Sequence, residues 1–250
     1  MTPTVSFAAA IPVGSWHAFI PAAFASLAAQ GVNLEVALVD ASGDPRVAEA
    51  ADRSNLSFAY RRHGPDKGQA DAIDEGWRHT RGDIVFWLNG DDRLASGALK
   101  TIGEIFDANP DVDVIYGRSG FIDANGRHIG MHDQVEAVSD LLYRSNIISQ
   151  PSCFVRRKAL EAANGIDTSL HYVMDWELWI RLYACGARFF HTEQRLSDVY
   201  VGDDTKTGEV SLQRLREVYT VVRRYAGHWP AIKSTVSLWA HTLRHRRQRP

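Results

Sequence analysis

Ile84-Val85-Phe86-Trp87-Leu88 is an uninterrupted apolar run that stops on Asn89-Gly90-Asp91-Asp92. A run this short, rich in β-formers and bounded by polar residues, predicts a strand buried on both faces. Strands of that kind belong to parallel sheets covered by helices, which narrows the architecture to an α/β layer structure. Ligands of such sheets bind beyond the carboxyl ends of the strands, where Asn89, Asp91 and Asp92 fall. Two adjacent carboxylates repel each other, and a hard divalent cation such as Mg²⁺ or Mn²⁺ would relieve that repulsion. Asn-Gly and Asp are also favoured turn residues. The stretch by itself fits either a cation site or a plain turn.

The preceding chain has the same grammar. Val5 to Ala10 predicts a first strand, and Leu34 to Val39 a second that also ends on an acid, Asp40. Trp16, Phe19, Ile20, Ala23, Phe24 and Leu27 recur at helical spacing between them, with Pro21 in an early turn and Gly31 as the stop. Ser42-Gly43-Asp44-Pro45 turns the chain into a short helix over residues 45–53, and Phe58 to Arg61 predicts a third strand. A polar loop, Arg62 to Gln69, leads into a helix from about Lys67 to Thr80 that Asp66 can cap. After the Ile84 strand come a helix over Ser96 to Ala108 and a strand over Val112 to Tyr116. Alternation of strand and helix through about residue 120 predicts a parallel sheet joined by right-handed crossovers.

The second half is less regular. Residues 121–135 predict a hairpin or loop, and Val135 to Tyr143 a helix. Cys153 to Val155 predicts a strand, followed by a helix over about Arg157 to Ala163 that ends at Asn164-Gly165. Tyr172 to Leu182 opens a strong helix, with Trp176 and Trp179 expected in the core. Arg188 to His191 and Leu196 to Val201 predict two more strands. Leu212 to Tyr225 and Ala231 to Leu243 predict closing helices.

Composition excludes several classes. The 250 residues carry a net charge of −2, so no global attraction to nucleic acid is expected, although four arginines crowd the last seven residues. Two distant cysteines supply neither a disulfide framework nor a zinc site. No secretory signal and no run of about 18 apolar residues is seen, which predicts a cytoplasmic location. A C-terminal helix bearing Trp239 and the arginine tail could rest on the inner face of the membrane. There is no G-x-G-x-x-G, no P-loop and no G-x-S-x-G elbow, which disfavours dinucleotide enzymes, P-loop nucleotidases and α/β hydrolases.

Four segments resemble the family 2 glycosyltransferases of GT-A fold. They are Val39-Asp40-Ala41-Ser42-Gly43-Asp44, Gly64 to Ile73, Trp87-Leu88-Asn89-Gly90-Asp91-Asp92, and Gln150 to Phe154 with Gly165-Ile166-Asp167 and Met174 to Leu182. The resemblance implies a Rossmann-like, mainly parallel α/β sheet flanked by helices, with C-terminal helices. Residues 1–208 would form the GT-A domain, its donor half about 1–120 and its acceptor half about 121–208, and residues 209–250 a helical extension.

The resemblance further implies an inverting enzyme that uses a UDP- or GDP-linked sugar and Mn²⁺ or Mg²⁺. Asp40, Lys67 and Asp91 would contact the nucleotide sugar, Asp92 with Asp91 would hold the metal, and Asp175 would be the general base. The acceptor would be a saccharide or a lipid-linked saccharide, as in surface polysaccharide synthesis. The family's Arg or His near Val201-Gly202 is missing here, and Lys206 is the available cation for the diphosphate. Glu177 is either structural or part of the pocket lining. A non-catalytic nucleotide-sugar-binding module is the alternative, and the intact Asp91, Asp92 and Asp175 argue against it. A nucleotidyltransferase is disfavoured because Ala10 to Gly14 offers no basic, glycine-rich phosphate loop.

Overall fold

A computed structural model describes residues 3–132, 135–202 and 211–247. Its strands are β1 (Phe7–Val13), β2 (Leu34–Asp40), β3 (Phe58–His63), β4 (Ile84–Trp87), β5 (Arg93–Leu94), β6 (Val114–Ile122), β7 (His128–Met131), β8 (Cys153–Arg156) and β9 (Phe189–Tyr200). Its helices are α1 (Ile20–Ala28), α2 (Pro45–Arg53), α3 (Gln69–Arg78), α4 (Ala98–Ala108), α5 (Arg157–Ala162), α6 (Met174–Ala184), α7 (Leu212–Ala226) and α8 (His228–Arg247). The strands join into one sheet in the order β3-β2-β1-β4-β8-β6-β9-β5, with β7 paired to β6.

The first four strands of that order are mutually parallel, as the alternating pattern predicts. The parallel run ends at β4, because β8 is antiparallel to both β4 and β6. The fifth strand expected from the sequence is therefore not a neighbour of β4.

Three local expectations change. The helix over Val135 to Tyr143 is reduced to a 3-10 turn at Asp140–Tyr143. Ser139 stays extended and its hydroxyl accepts the Leu141 N–H at 3.3 Å, so the side chain takes a donor a longer helix would need. The two strands expected over 188–201 are one, β9. Its pairing with β6 shifts register around Arg118, and the polar Glu193 and Gln194 fall in that bulge. The two-residue β5 has no counterpart in the sequence reading, since two residues show no period.

Helices cover both faces. Phe7, Ala9 and Ile11 point into a core with Phe24, Leu99 and Phe106, while Ala8 and Ala10 point into one with Ile73, Trp77, Trp87 and Trp179. β1 is thus apolar at every position, as a strand covered on both sides must be. The helix α3 lies so close to the sheet that a Cβ on Gly76 would stand 2.9 Å from the Ala10 Cβ. Any larger residue there would push α3, and the loop before it, off the sheet edge. At the start of α2, Asp44 accepts the Arg46 N–H and its guanidinium, which lowers the Asp44 carboxyl to about 2.

Candidate active site

The carboxyl ends of β2 and β4 and the amino end of β8 share one edge of the sheet, since β8 runs opposite to β4. At that edge Asn89 is the hub. Its amide oxygen accepts Gln69 Nε2 at 2.7 Å, and its Nδ2 donates to Asp92 Oδ2 at 3.1 Å and to Gln150 Oε1 at 3.2 Å. Gln150 in turn donates to the Trp87 carbonyl at 2.9 Å. Asn89 therefore ties the first residue of α3 and the turn before β8 to the acidic pair. The sequence singles out this stretch; that Asn89 orients Asp92 rests on partners brought in from elsewhere in the chain.

Asp92 is buried at 4% exposure, and its Oδ1 accepts the Tyr200 N–H at 3.3 Å. Burial, and then the neighbouring Asp91 charge, push its carboxyl well above the usual range. A buried carboxylate beside a second, partly exposed one is a donor set of the kind Mg²⁺ and Mn²⁺ take, with substrate phosphates and water completing the shell. No group of three metal-binding side chains occurs among the described residues, and of those residues this pair is the donor set at the edge. The residues fit a divalent ion on those terms.

Asp40 ends β2 with its carboxylate buried. Ser42 donates to it through N–H at 2.9 Å and hydroxyl at 2.6 Å, and His63 Nδ1 lies 2.8 Å from its other oxygen. The partner His63, at the end of β3, was not among the expected site residues. Lys67 is exposed in the loop ahead of α3, its backbone N–H 3.3 Å from Asp71 Oδ2. That loop reaches toward the other half of the chain: a Cβ on Gly68 would lie 3.7 Å from His171 Nδ1. Lys206 lies outside the described residues.

Asp175 sits in the first turn of α6 and is partly exposed. Loss of solvent raises its carboxyl above the ordinary value, against the opposing effects of the Trp176 N–H, the Asn146 side chain and the Arg214 charge. Asn146 Nδ2 donates to Asp175 Oδ2 at 3.0 Å. The Cys153 thiol at the start of β8 is raised chiefly by its own burial and next by the Asp175 charge. The helix that carries Asp175 packs on β4 through Trp179, which stacks on Trp87. Asn146 and Arg214 are additions to the sequence reading. They come from segments far from Asp175 in the chain, and no local spacing marks them.

The two tryptophans of α6 are core. Trp179 stacks on Trp87 at 5.7 Å and 21°, and Trp87 meets Trp77 edge-on at 5.6 Å, so α3, α6 and the end of β4 share one aromatic cluster. Trp176 donates to the Leu142 carbonyl at 2.6 Å.

Glu177 is structural. At 1% exposure it accepts three hydrogen bonds from Arg181 and the Tyr225 hydroxyl at 3.0 Å, while Arg181 also donates to the carbonyls of Ala163 and Gly165. The network fastens α6 to α7 and to the turn after α5. Glu177→Ala would leave the Arg181 charge without its carboxylate and is expected to cost about 3 kcal/mol. That corresponds to a fall of roughly 6–12 °C in melting temperature for a chain of this size. Differential scanning fluorimetry on the purified variant checks it.

A sheet of this order, helix-covered on both faces with acids at the carboxyl edge, is that of the GT-A glycosyltransferases. Residues 11–163 match the model of glycosyl transferase family 2, and the chain belongs to that family and is a glycosyltransferase. A relative described as an uncharacterized glycosyltransferase of Haemophilus influenzae is 20% identical over 250 residues, spanning 93% of this chain and 83% of its own. Among solved structures, S. aureus TarS 1–349 in complex with UDP-GlcNAc matches 94% of this chain and 71% of its own, with a TM-score of 0.68 at 15% identity. The mannosyltransferase PcManGT from Pyrobaculum calidifontis, in complex with GDP-Man and Mn²⁺, matches 96% and 71%, with a TM-score of 0.63 at 17% identity. At these identities the two structures speak for the fold alone.

Proposed function

We propose that the protein is a metal-dependent inverting glycosyltransferase that moves a sugar from a UDP- or GDP-linked donor to a hydroxyl of a saccharide or lipid-linked saccharide. The observation that carries this reading is an acidic pair at the carboxyl end of β4, with Asp92 buried, and a carboxyl raised by desolvation in the first turn of α6, the helix whose Trp179 stacks on Trp87 of β4. The nucleotide-sugar complexes of the two structural neighbours support the donor class, and the Mn²⁺ in one of them supports a divalent ion.

Asp92 and Asp91 would hold Mg²⁺ or Mn²⁺. When bound, the ion would supply positive charge to the departing diphosphate. The Asn89 hydrogen bond would hold the Asp92 carboxylate in orientation for that task. The base of the nucleotide would lie over the Asp40–His63 pair, with Asp91 toward the ribose and Lys67 near the donor, and Lys206 would be the cation for the diphosphate.

Asp175 would accept the proton of the attacking hydroxyl. A carboxylate pushed above its ordinary pKa is a stronger base near neutral pH than an exposed one. As the new oxygen–carbon bond forms at the anomeric carbon, the bond to the nucleoside diphosphate breaks. The electron pair leaves with the diphosphate, and one displacement inverts the centre. Domain roles follow the same reading: residues 1–120 serve the donor and 121–208 the acceptor, with 209–250 appended.

Isothermal titration with UDP- and GDP-sugars, with and without Mn²⁺, tests the assignment. One nucleotide series is expected to bind, and only with the metal present. Absence of binding by both series in Mn²⁺ would remove the reading. Binding without turnover on any acceptor would favour a nucleotide-sugar-binding module instead.

A further inference from the structure

Charge is divided unevenly along the chain. Residues 211–250 contain nine Lys and Arg against one acid, a net +8, while the preceding 210 residues carry −10. The single acid, Glu217, contributes little at the surface. It is buried and accepts the backbone N–H groups of His171 and Tyr172, the latter at 2.7 Å. Among the described side chains of the hairpin, Arg216, Arg223 and Lys233 are exposed cations.

The same hairpin exposes apolar residues that the core does not use. Trp229, Val236 and Trp239 are 73%, 55% and 51% exposed, and Leu212 at the start of α7 is 74% exposed. On α8 the three are spaced by seven and three residues, which puts them on one side of the helix over about 15 Å. Ala231 and Leu238, from the other side, pack toward the core. Beside this stripe, Leu212, Leu215, Arg216, Tyr219 and Thr235 line a shallow cleft of about 270 Å³. Arg223 and Arg224 line its neighbour.

We propose that this hairpin docks on an anionic lipid surface. Tryptophans on one helical side with cations around them match the headgroup layer, which takes indole rings at the boundary and Lys or Arg over phosphates. A nucleic acid would account for the charge but not for Val236 and Leu212. None of the described helices is long and apolar enough to cross a bilayer, so the contact is a surface one. Glu217 gives the contact a use. It ties α7 to the loop just ahead of α6, so a docked hairpin holds the Asp175 end of the molecule near the bilayer, where an acceptor carried on lipid would present its hydroxyl. The docking surface itself stands apart from the donor assignment.

The test is co-sedimentation of the full chain with vesicles of phosphatidylglycerol in phosphatidylcholine, beside phosphatidylcholine alone. Most of the protein should pellet with the anionic vesicles at low salt and little with the neutral ones. High salt should reverse the binding. The double variants W229S/W239S and R216E/R223E should each lower the bound fraction about tenfold with the near-ultraviolet circular dichroism unchanged. Equal binding to neutral vesicles, no binding to anionic ones, or undiminished binding by both variants would overturn the proposal. So would concentration-dependent self-association in light scattering that disappears in W229S/W239S while no vesicle binding is seen, since the surface would then join two copies of the chain.

Discussion

Asp175→Asn is expected to lower the rate of sugar transfer by about a thousandfold or more while donor affinity stays within about twofold. The amide keeps the shape of the carboxylate and still accepts from Asn146, but it cannot take a proton. Donor titration and single-turnover transfer on the same preparation separate the two effects. Retained transfer would remove Asp175 as the base.

The wild-type pH profile carries a linked expectation. The base must be ionised to act, and desolvation raises its pKa, so the acidic limb of kcat/KM should lie above the ordinary carboxylate range. Arg214 opposes that rise with its positive charge. Arg214→Gln should therefore move the limb to still higher pH, an effect that loss of packing alone would not produce.

Asp92→Asn should lower donor affinity in Mn²⁺ by about a hundredfold and leave it insensitive to the metal. The stability effect separates a binding role from a structural one. The Asp92 pKa is raised in the fold, so stability is lost progressively as pH rises from the ordinary carboxylate value to the raised one. A neutral amide removes both the desolvation cost and the repulsion from Asp91. It keeps only one of the two oxygens that accept from Tyr200 and Asn89. With these effects opposed, the metal-free melting temperature should fall by no more than about 3 °C at neutral pH. A large fall, with metal-dependent binding intact, would make Asp92 a structural residue.

The sheet edge was legible because apolar runs ending on acids are a local pattern. Asp40, Asp91 and Asp92 follow from strand ends, and α2 begins at the residue its Asp-Pro signal indicates. Other features depend on distant partners. β8 comes from far along the chain to lie against β4, and nothing near β4 announces an antiparallel neighbour. Asn146 and Arg214 reach Asp175 only through the tertiary fold. Glu177 was ambiguous in sequence because an acid in a first helical turn suits a pocket or an ion pair equally well; Arg181 and Tyr225 settle it as an ion pair. The Val135 segment misled because its apolar spacing is helical while Ser139 holds the backbone extended.

The position of β8 bears on the order in which the chain can fold. Until residues 153–156 have been made, the side of β4 away from β1 is a bare edge with its backbone donors and acceptors unpaired, on a strand that is apolar throughout. The parallel half can collapse around β1 as it emerges from the ribosome, but it completes its hydrogen bonding only when the later strand arrives. That delay exposes an adhesive edge during synthesis, and it makes closure of the sheet between β4 and β6 a late, long-range step.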